Sequence, residues 1–153
     1  MREKGNYYYT EGSSKNPQIE FNPLSGDLIL TGRSIPENAA KVYEPLLSIL
    51  SDYIKAPRQV TNFRLNLEYF NSASLLWFAR ITRTLGRIEM ENSVLLIHIY
   101  FDIDDFESMD MEEIKDIVSS LVDNIGNTSV STGIKLYGTD SNHSVVKEAT
   151  ILT

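Results

Sequence analysis

Apolar and polar side chains alternate through residues 18–32. Ile19 and Phe21 stand between polar neighbours, Pro23, Ser25 and Gly26 interrupt, and Leu28 and Leu30 resume the period. A period of two places every second side chain on one face of a strand, so the segment predicts a β-hairpin with a loop of about four residues. Residues 6–10, which contain three consecutive tyrosines, predict a strand before it, with residues 12–16 as the intervening loop. The pattern then changes to helical spacing at Ala39, Ala40, Tyr43, Leu46, Leu47, Leu50 and Ile54. Ser34 and Glu37 have the spacing of a capping box, with Pro36 in the first turn. Pro45 lies inside the stripe and predicts a kink or a split into two helices, and Pro57 closes the segment.

Residues 61–69 alternate again and place Phe63, Leu65, Leu67 and Tyr69 on one face. A polar elbow follows at residues 71–74. Leu75, Phe78, Ile81, Thr82 and Leu85 then recur at helical spacing up to Gly86, a reasonable terminator. Residues 93–101 form the most apolar strand. An acidic segment, residues 102–110, leads into an amphipathic helix carrying Ile114, Ile117, Val118, Leu121 and Val122, and Ile134, Leu136 and Tyr137 predict a last strand. Strands and helices alternating after a hairpin predict an α/β (α+β) sandwich: a mixed sheet, helices mainly on one face, right-handed crossovers. Residues 1–153 are expected to form a single domain, with 1–5 and about 139–153 flexible.

Composition narrows the function. The chain has no cysteine, which removes disulfides, thiolate metal sites and cysteine nucleophiles. A net charge of −7 argues against binding to a phosphate backbone. Arg80, Arg83 and Arg87 recur along one helix and read first as a solvated face. No run approaches the roughly 20 apolar residues of a membrane span. The start of the chain, with Arg2, Glu3 and Lys4 before the tyrosines, is unlike a signal peptide, so a cytoplasmic location is expected.

No catalytic constellation emerges. His98 sits in the most apolar strand, where a hydrogen-bonded structural role is favoured, and His143 has no evident acid partner. Neither a phosphate-binding glycine loop nor a nucleophile elbow is present. The chain reads as a non-enzymatic binding protein without cofactor or bound metal. Asp102, Asp104, Asp105 and Glu107 offer hard oxygen ligands, but Glu107 occupies the place where a calcium-binding EF-hand loop needs glycine. A small metal- or ligand-binding domain using an acidic loop at residues 102–107 remains an alternative, as does an unmodified scaffold. The elbow has two readings on its residues alone. Asn71 and Ser72 cap a helix, or the positive helix N-terminus also receives a phosphate on Ser72 that alters partner docking. Leu76 and Trp77, like Tyr7 to Tyr9, are undecided between a partner surface and further burial.

Several segments resemble one family. Thr10-Glu11, Pro17-Gln18-Ile19-Glu20-Phe21, Gly32-x-Ser34-x-Pro36-Glu37-Asn38-Ala39 and Tyr43-x-Pro45-Leu46 look like the SiaC family of bacterial regulatory phosphoproteins. Leu67-Glu68-Tyr69-Phe70-Asn71-Ser72-Ala73-Ser74 is similar to that family's elbow, and Tyr100-Phe101-Asp102-x-Asp104-Asp105 to its acidic segment. The resemblance implies a fold like the anti-sigma-factor antagonists (STAS-like) and phosphorylation of the hydroxyl residue after the elbow asparagine, here Ser72. It implies a dedicated Ser/Thr kinase, a PP2C-type phosphatase and a diguanylate cyclase as partners, linking the protein to cyclic-di-GMP and biofilm control. Tyr69, Asn71, Ser74, Asp102, Asp104 and Asp105 are the expected partner contacts. The chain departs from the family pattern in having serine for threonine at Ser72, alanine for serine at Ala73 and Leu76 near a common lysine.

Overall fold

The computed structural model describes residues 7–123, 125 and 129–152. Seven strands form one mixed sheet in sequential order. They are β1 (Tyr8–Thr10), β2 (Gln18–Asn22), β3 (Asp27–Ser34), β4 (Val60–Phe70), β5 (Val94–Asp102), β6 (Ser131–Thr139) and β7 (Val145–Leu152). The helices are α1 (Ala39–Tyr53), α2 (Ser72–Leu85), α3 (Ile103–Ser108) and α4 (Met111–Val122). β3 to β6 run parallel, while β1, β2 and β7 join antiparallel. Each parallel crossover advances the sheet in one direction, and crossovers of one hand then stack the helices on one face. The predicted sandwich is the observed one. α2 is the middle helix, packed against both α1 and α4.

The period-two signal located the core correctly. Ile19, Phe21, Leu28, Leu30, Phe63, Leu65, Leu95, Ile97 and Ile99 are all buried beneath the helices. In the hairpin, the Gly26 N–H donates to the Asn22 carbonyl with Gly26 at φ 78°, a left-handed conformation. A Cβ there would also lie 2.6 Å from the Val60 carbonyl oxygen. Gly86 caps α2 at a right-handed φ of −67°, so its need for glycine is space: a Cβ would stand 2.8 Å from Ile125.

Five expectations change. Ser34 does not cap α1; Asn38 does, its Oδ1 accepting from the Lys41 N–H, and Ser34 instead ends β3 fully buried. Pro45 does not split α1, which is continuous through it. Pro45 stands on the exposed side, where the carbonyl deprived of its helical donor belongs to the exposed Lys41 and water can satisfy it. Tyr69 leaves the buried face. The β3–β4 register shifts between Gly32 and Arg33, pairing Gly32 with Leu67 but Arg33 with Tyr69. The extra residue, Glu68, is a bulge that inverts the alternation, so Phe70 turns inward and Tyr69 outward.

The segment 102–107 is not a loop. Asp102 ends β5 and caps α3, its Oδ1 accepting the Asp104 N–H at 2.8 Å, while Asp104 and Asp105 occupy the first helical turn. Finally, residues 145–152 are strand rather than a flexible tail. β7 pairs along β6 and is tied by the Lys147–Glu107 and Lys135–Glu148 ion pairs. Asp140 shapes the connecting turn by accepting N–H bonds from Asn142 and Ser144, with His143 at φ 63°. The expected flexibility of residues 1–5 and the start of the first strand at Asn6 lie outside the described residues.

Candidate functional site

The elbow between β4 and α2 is anchored from below. Asn71 takes an extended conformation and caps α2, its Oδ1 accepting the Ser74 N–H at 2.9 Å. Ser74 is fully buried and its hydroxyl donates to the Ser34 carbonyl at 2.8 Å. That carbonyl also accepts the Asn71 N–H. The Ser34 hydroxyl lies 2.7 Å from Ser74 Oγ and 2.5 Å from the Tyr43 hydroxyl. Burial raises the Tyr43 pKa far above the ordinary tyrosine value, so the phenol stays protonated and donates to Ser34 Oγ. Ser34 then donates to Ser74, and every hydroxyl of the cluster is satisfied. Trp77 stacks on Tyr43 with centroids 6.1 Å apart and is buried, which settles its place in the core. Leu76 points outward at 66% exposure.

Ser34 therefore holds the elbow to α1. Ser34→Ala is expected to cost about 1–3 kcal/mol, because it leaves the Tyr43 donor buried without an acceptor. Adding Tyr43→Phe should recover part of that loss by removing the orphaned hydroxyl. Urea denaturation of Ser34→Ala and of the double variant tests this, and a double variant no more stable than Ser34→Ala alone would refute the proposed bonding.

Ser72 occupies the first position of α2, exposed, with no side-chain hydrogen bond among the described residues. The N–H groups of the first helical turn lack intrahelical acceptors. Beside the elbow, an open groove of about 1060 Å³ lies across the carboxyl ends of the parallel strands. Tyr69, Phe70, Tyr100, Asp102, Asp105 and Asp140 are among its lining.

The expected partner contacts thus divide. Tyr69, Asp102 and Asp105 share the groove; Asn71 and Ser72 form the elbow next to it; Asp104 lines neither. Ser74, being 0% exposed, cannot touch a partner and acts by positioning the elbow. Sequence reasoning missed Ser34 and Tyr43 as its support. A signal existed: Ser34 continues the even-numbered phase of Leu28 and Leu30, which marks the buried face.

On the helix-free face, His98 is 4% exposed and fully hydrogen-bonded. Asn62 donates its amide N–H to Asp27, which turns Asn62 Oδ1 toward His98 Nε2 at 2.8 Å. Nε2 therefore carries the proton and Nδ1 accepts from the Tyr137 hydroxyl at 2.8 Å. Burial first, then the charges of Arg64 and Lys135, lower the His98 pKa to about 4. The arrangement is that of a neutral structural histidine. Among the described residues no helix is long and apolar enough to cross a membrane, and no group of three or more His, Asp or Glu side chains is placed to hold a metal ion.

No curated protein matches the sequence significantly. Solved structures do match the fold. Apo-SiaC from Pseudomonas aeruginosa superposes with a TM-score of 0.61 at 14% identity, over 83% of this chain and 98% of that one. A second SiaC structure from Pseudomonas aeruginosa gives 0.62 at 17% identity, over 74% and 90% of the two chains. SiaC in its complex with the diguanylate cyclase SiaD, which it activates, gives 0.61 at 16% identity, over 82% and 98%. At such identities the likeness is one of fold. The sequence itself carries more, because residues 10–125 match the pattern of the SiaC family regulatory phosphoproteins. That span takes in the elbow, its Ser34 anchor and the acidic cap of α3, and by it this chain belongs to the SiaC family of regulatory phosphoproteins.

Proposed function

We propose that this protein is a cytoplasmic protein-binding switch controlled by phosphorylation of Ser72. Its family is one of regulatory phosphoproteins, not enzymes. One observation carries the choice of residue: of the elbow's hydroxyls, Ser74 is sealed in a buried cluster, whereas Ser72 is exposed and uncommitted. A phosphoryl group there adds about −1.5 to −2 charges at the open N-terminus of α2, where a helix tolerates anions. The modification therefore changes the surface without unfolding the helix beneath it.

The partners in this reading are a Ser/Thr kinase and a PP2C-type phosphatase that write and erase the mark, and a diguanylate cyclase that reads it. The cyclase is suggested by the SiaC–SiaD complex, in which SiaC is the activator. Phosphosite mapping on protein from its native cells, followed by binding of the Ser72 variants to the cell's diguanylate cyclases, tests the proposal. Phosphate is expected on Ser72. Ser72→Ala should bind as the unmodified protein does, and Ser72→Asp at least about tenfold more weakly, a loss of about 1.4 kcal/mol in affinity. Both should melt within about 0.5 kcal/mol of wild type. An unmodified Ser72 across growth conditions, or two variants that bind alike, would sink the switch.

A further inference from the structure

Ser72, Leu76, Arg80 and Arg83 recur at intervals of four and three along α2, and Arg87 follows in the turn after it. Such spacing lines side chains along one stripe of a helix. α2 is the central helix of its layer, so the stripe runs down the middle of the helical face. Ser72, Leu76, Arg80 and Arg87 are exposed and Arg83 is partly so. Leu76, at 66% exposure, is among the most exposed large apolar side chains of the described residues.

The stripe is basic in an acidic protein. Its net charge is −7, yet the three arginines make no ion pair among the described residues. The neighbouring α4 carries Glu112, Glu113 and Asp116, and none of them pairs with these arginines. Arg80 is also held in place, its guanidinium lying 4.5 Å from the centroid of the Trp77 ring. An exposed apolar residue followed by a row of uncompensated, partly immobilised cations has the anatomy of an anchor with a steering rim.

We infer that this ridge of α2 docks an acidic protein surface, with Leu76 entering an apolar recess and Arg80, Arg83 and Arg87 facing carboxylates of the partner. Docking itself follows from the ridge; its control by phosphate rests on the proposed switch at Ser72. The link is geometric. Ser72 is one turn, about 6 Å along the axis, from Leu76, well inside a Debye length of about 10 Å. A phosphoryl group at that end of the ridge repels an acidic partner, so the unmodified protein is the binding form. The ridge gives a physical reason for the weaker binding expected of Ser72→Asp.

The test is photocrosslinking in native cells, with p-benzoylphenylalanine placed at Leu76 or, as a control on the β2–β3 turn, at Leu24, which is 65% exposed. Adducts are identified by mass spectrometry. The expected result is a protein adduct at position 76, absent at position 24, whose crosslinked segment carries net negative charge. Arg83→Gln with Arg87→Gln should cut its yield at least about tenfold, while circular dichroism melting confirms that the variant is folded. No adduct at 76, a neutral or basic crosslinked segment, an adduct to nucleic acid or lipid, or a yield indifferent to the arginines would each overturn the ridge. Ser72→Asp separates the two proposals. If it abolishes the adduct, both stand; if the adduct persists and remains arginine-dependent, the ridge stands and the switch at Ser72 fails.

Discussion

Phe78→Ala is expected to lower the stability of this protein by about 3–5 kcal/mol, the range for truncating a buried phenylalanine. Phe78 is 0% exposed and sits where α1, α2 and β4 meet. Its ring packs edge-on against Tyr43, 5.8 Å between centroids at 88°, and against Phe70, 5.5 Å at 71°. Removing it forfeits the transfer energy of the ring and two aromatic contacts and leaves a cavity in the close-packed core. Domains of this kind have only about 5–15 kcal/mol in total, so a large share of the fold is at stake. The effect should also reach the elbow, because Phe70 immediately precedes Asn71 and leans on Phe78. Urea denaturation with hydrogen exchange at residues 71–75 measures both effects. Leu76→Ala, two positions earlier but pointing to solvent, should change stability by no more than about 0.5 kcal/mol. A Phe78→Ala loss below about 1 kcal/mol would mean that the elbow's underside is not packed as described.

The second large effect is a loss of stability in mild acid that depends on His98. In the folded protein its pKa is lowered to about 4 from an ordinary value of 6.5. The unfolded chain therefore takes up a proton near pH 6.5 while the folded protein declines it until about pH 4. The neutral imidazole's contribution is complete above pH 6.5 and is lost as pH falls through this window. The loss reaches about 3 kcal/mol at the bottom of the window, at about 1.4 kcal/mol per pH unit. Arg64 and Lys135 oppose the imidazolium, Asp27 favours it, and Tyr137 and Asn62 hold the neutral tautomer. Carboxylates begin to titrate at the acid end, so the informative quantity is wild type minus His98→Gln, compared by chemical denaturation at pH 7, 6, 5 and 4. The wild type should lose stability more steeply than the variant over pH 6.5 to 4; parallel curves would show that His98 is not buried in its neutral form.

The fold was largely legible from residue periodicity, and its misreadings share a cause. Period two carries Tyr69 onto the face of Phe63, Leu65 and Leu67. Only pairing with β3, which introduces the bulge at Glu68, inverts the phase. Ser34 carries the local signature of a helix cap, and only its approach to Tyr43 and Ser74 reveals an internal anchor. Most side chains of β7 are exposed, leaving no hydrophobic period to read; its pairing with β6 makes it a strand. Asp102, Asp104 and Asp105 look like ligands in a row, whereas the chain uses Asp102 to cap α3.

By itself, then, the sequence determined the alternation of strands and helices, most of the core, the cap of α2 at Asn71 and the hydroxyl at Ser72. Each is written in local spacing, and local spacing sets which face of an element is apolar. The tertiary structure alone decided which elbow hydroxyl is sealed and which is open, where Tyr69 points, how His98 is satisfied and that the arginines of α2 make no ion pair among the described residues. Those outcomes depend on residues far apart in the chain, Ser34 with Ser74 or Asn62 with His98, brought together by packing. A buried polar group is settled by whichever partner the fold places within reach, and no local pattern in the sequence specifies that partner.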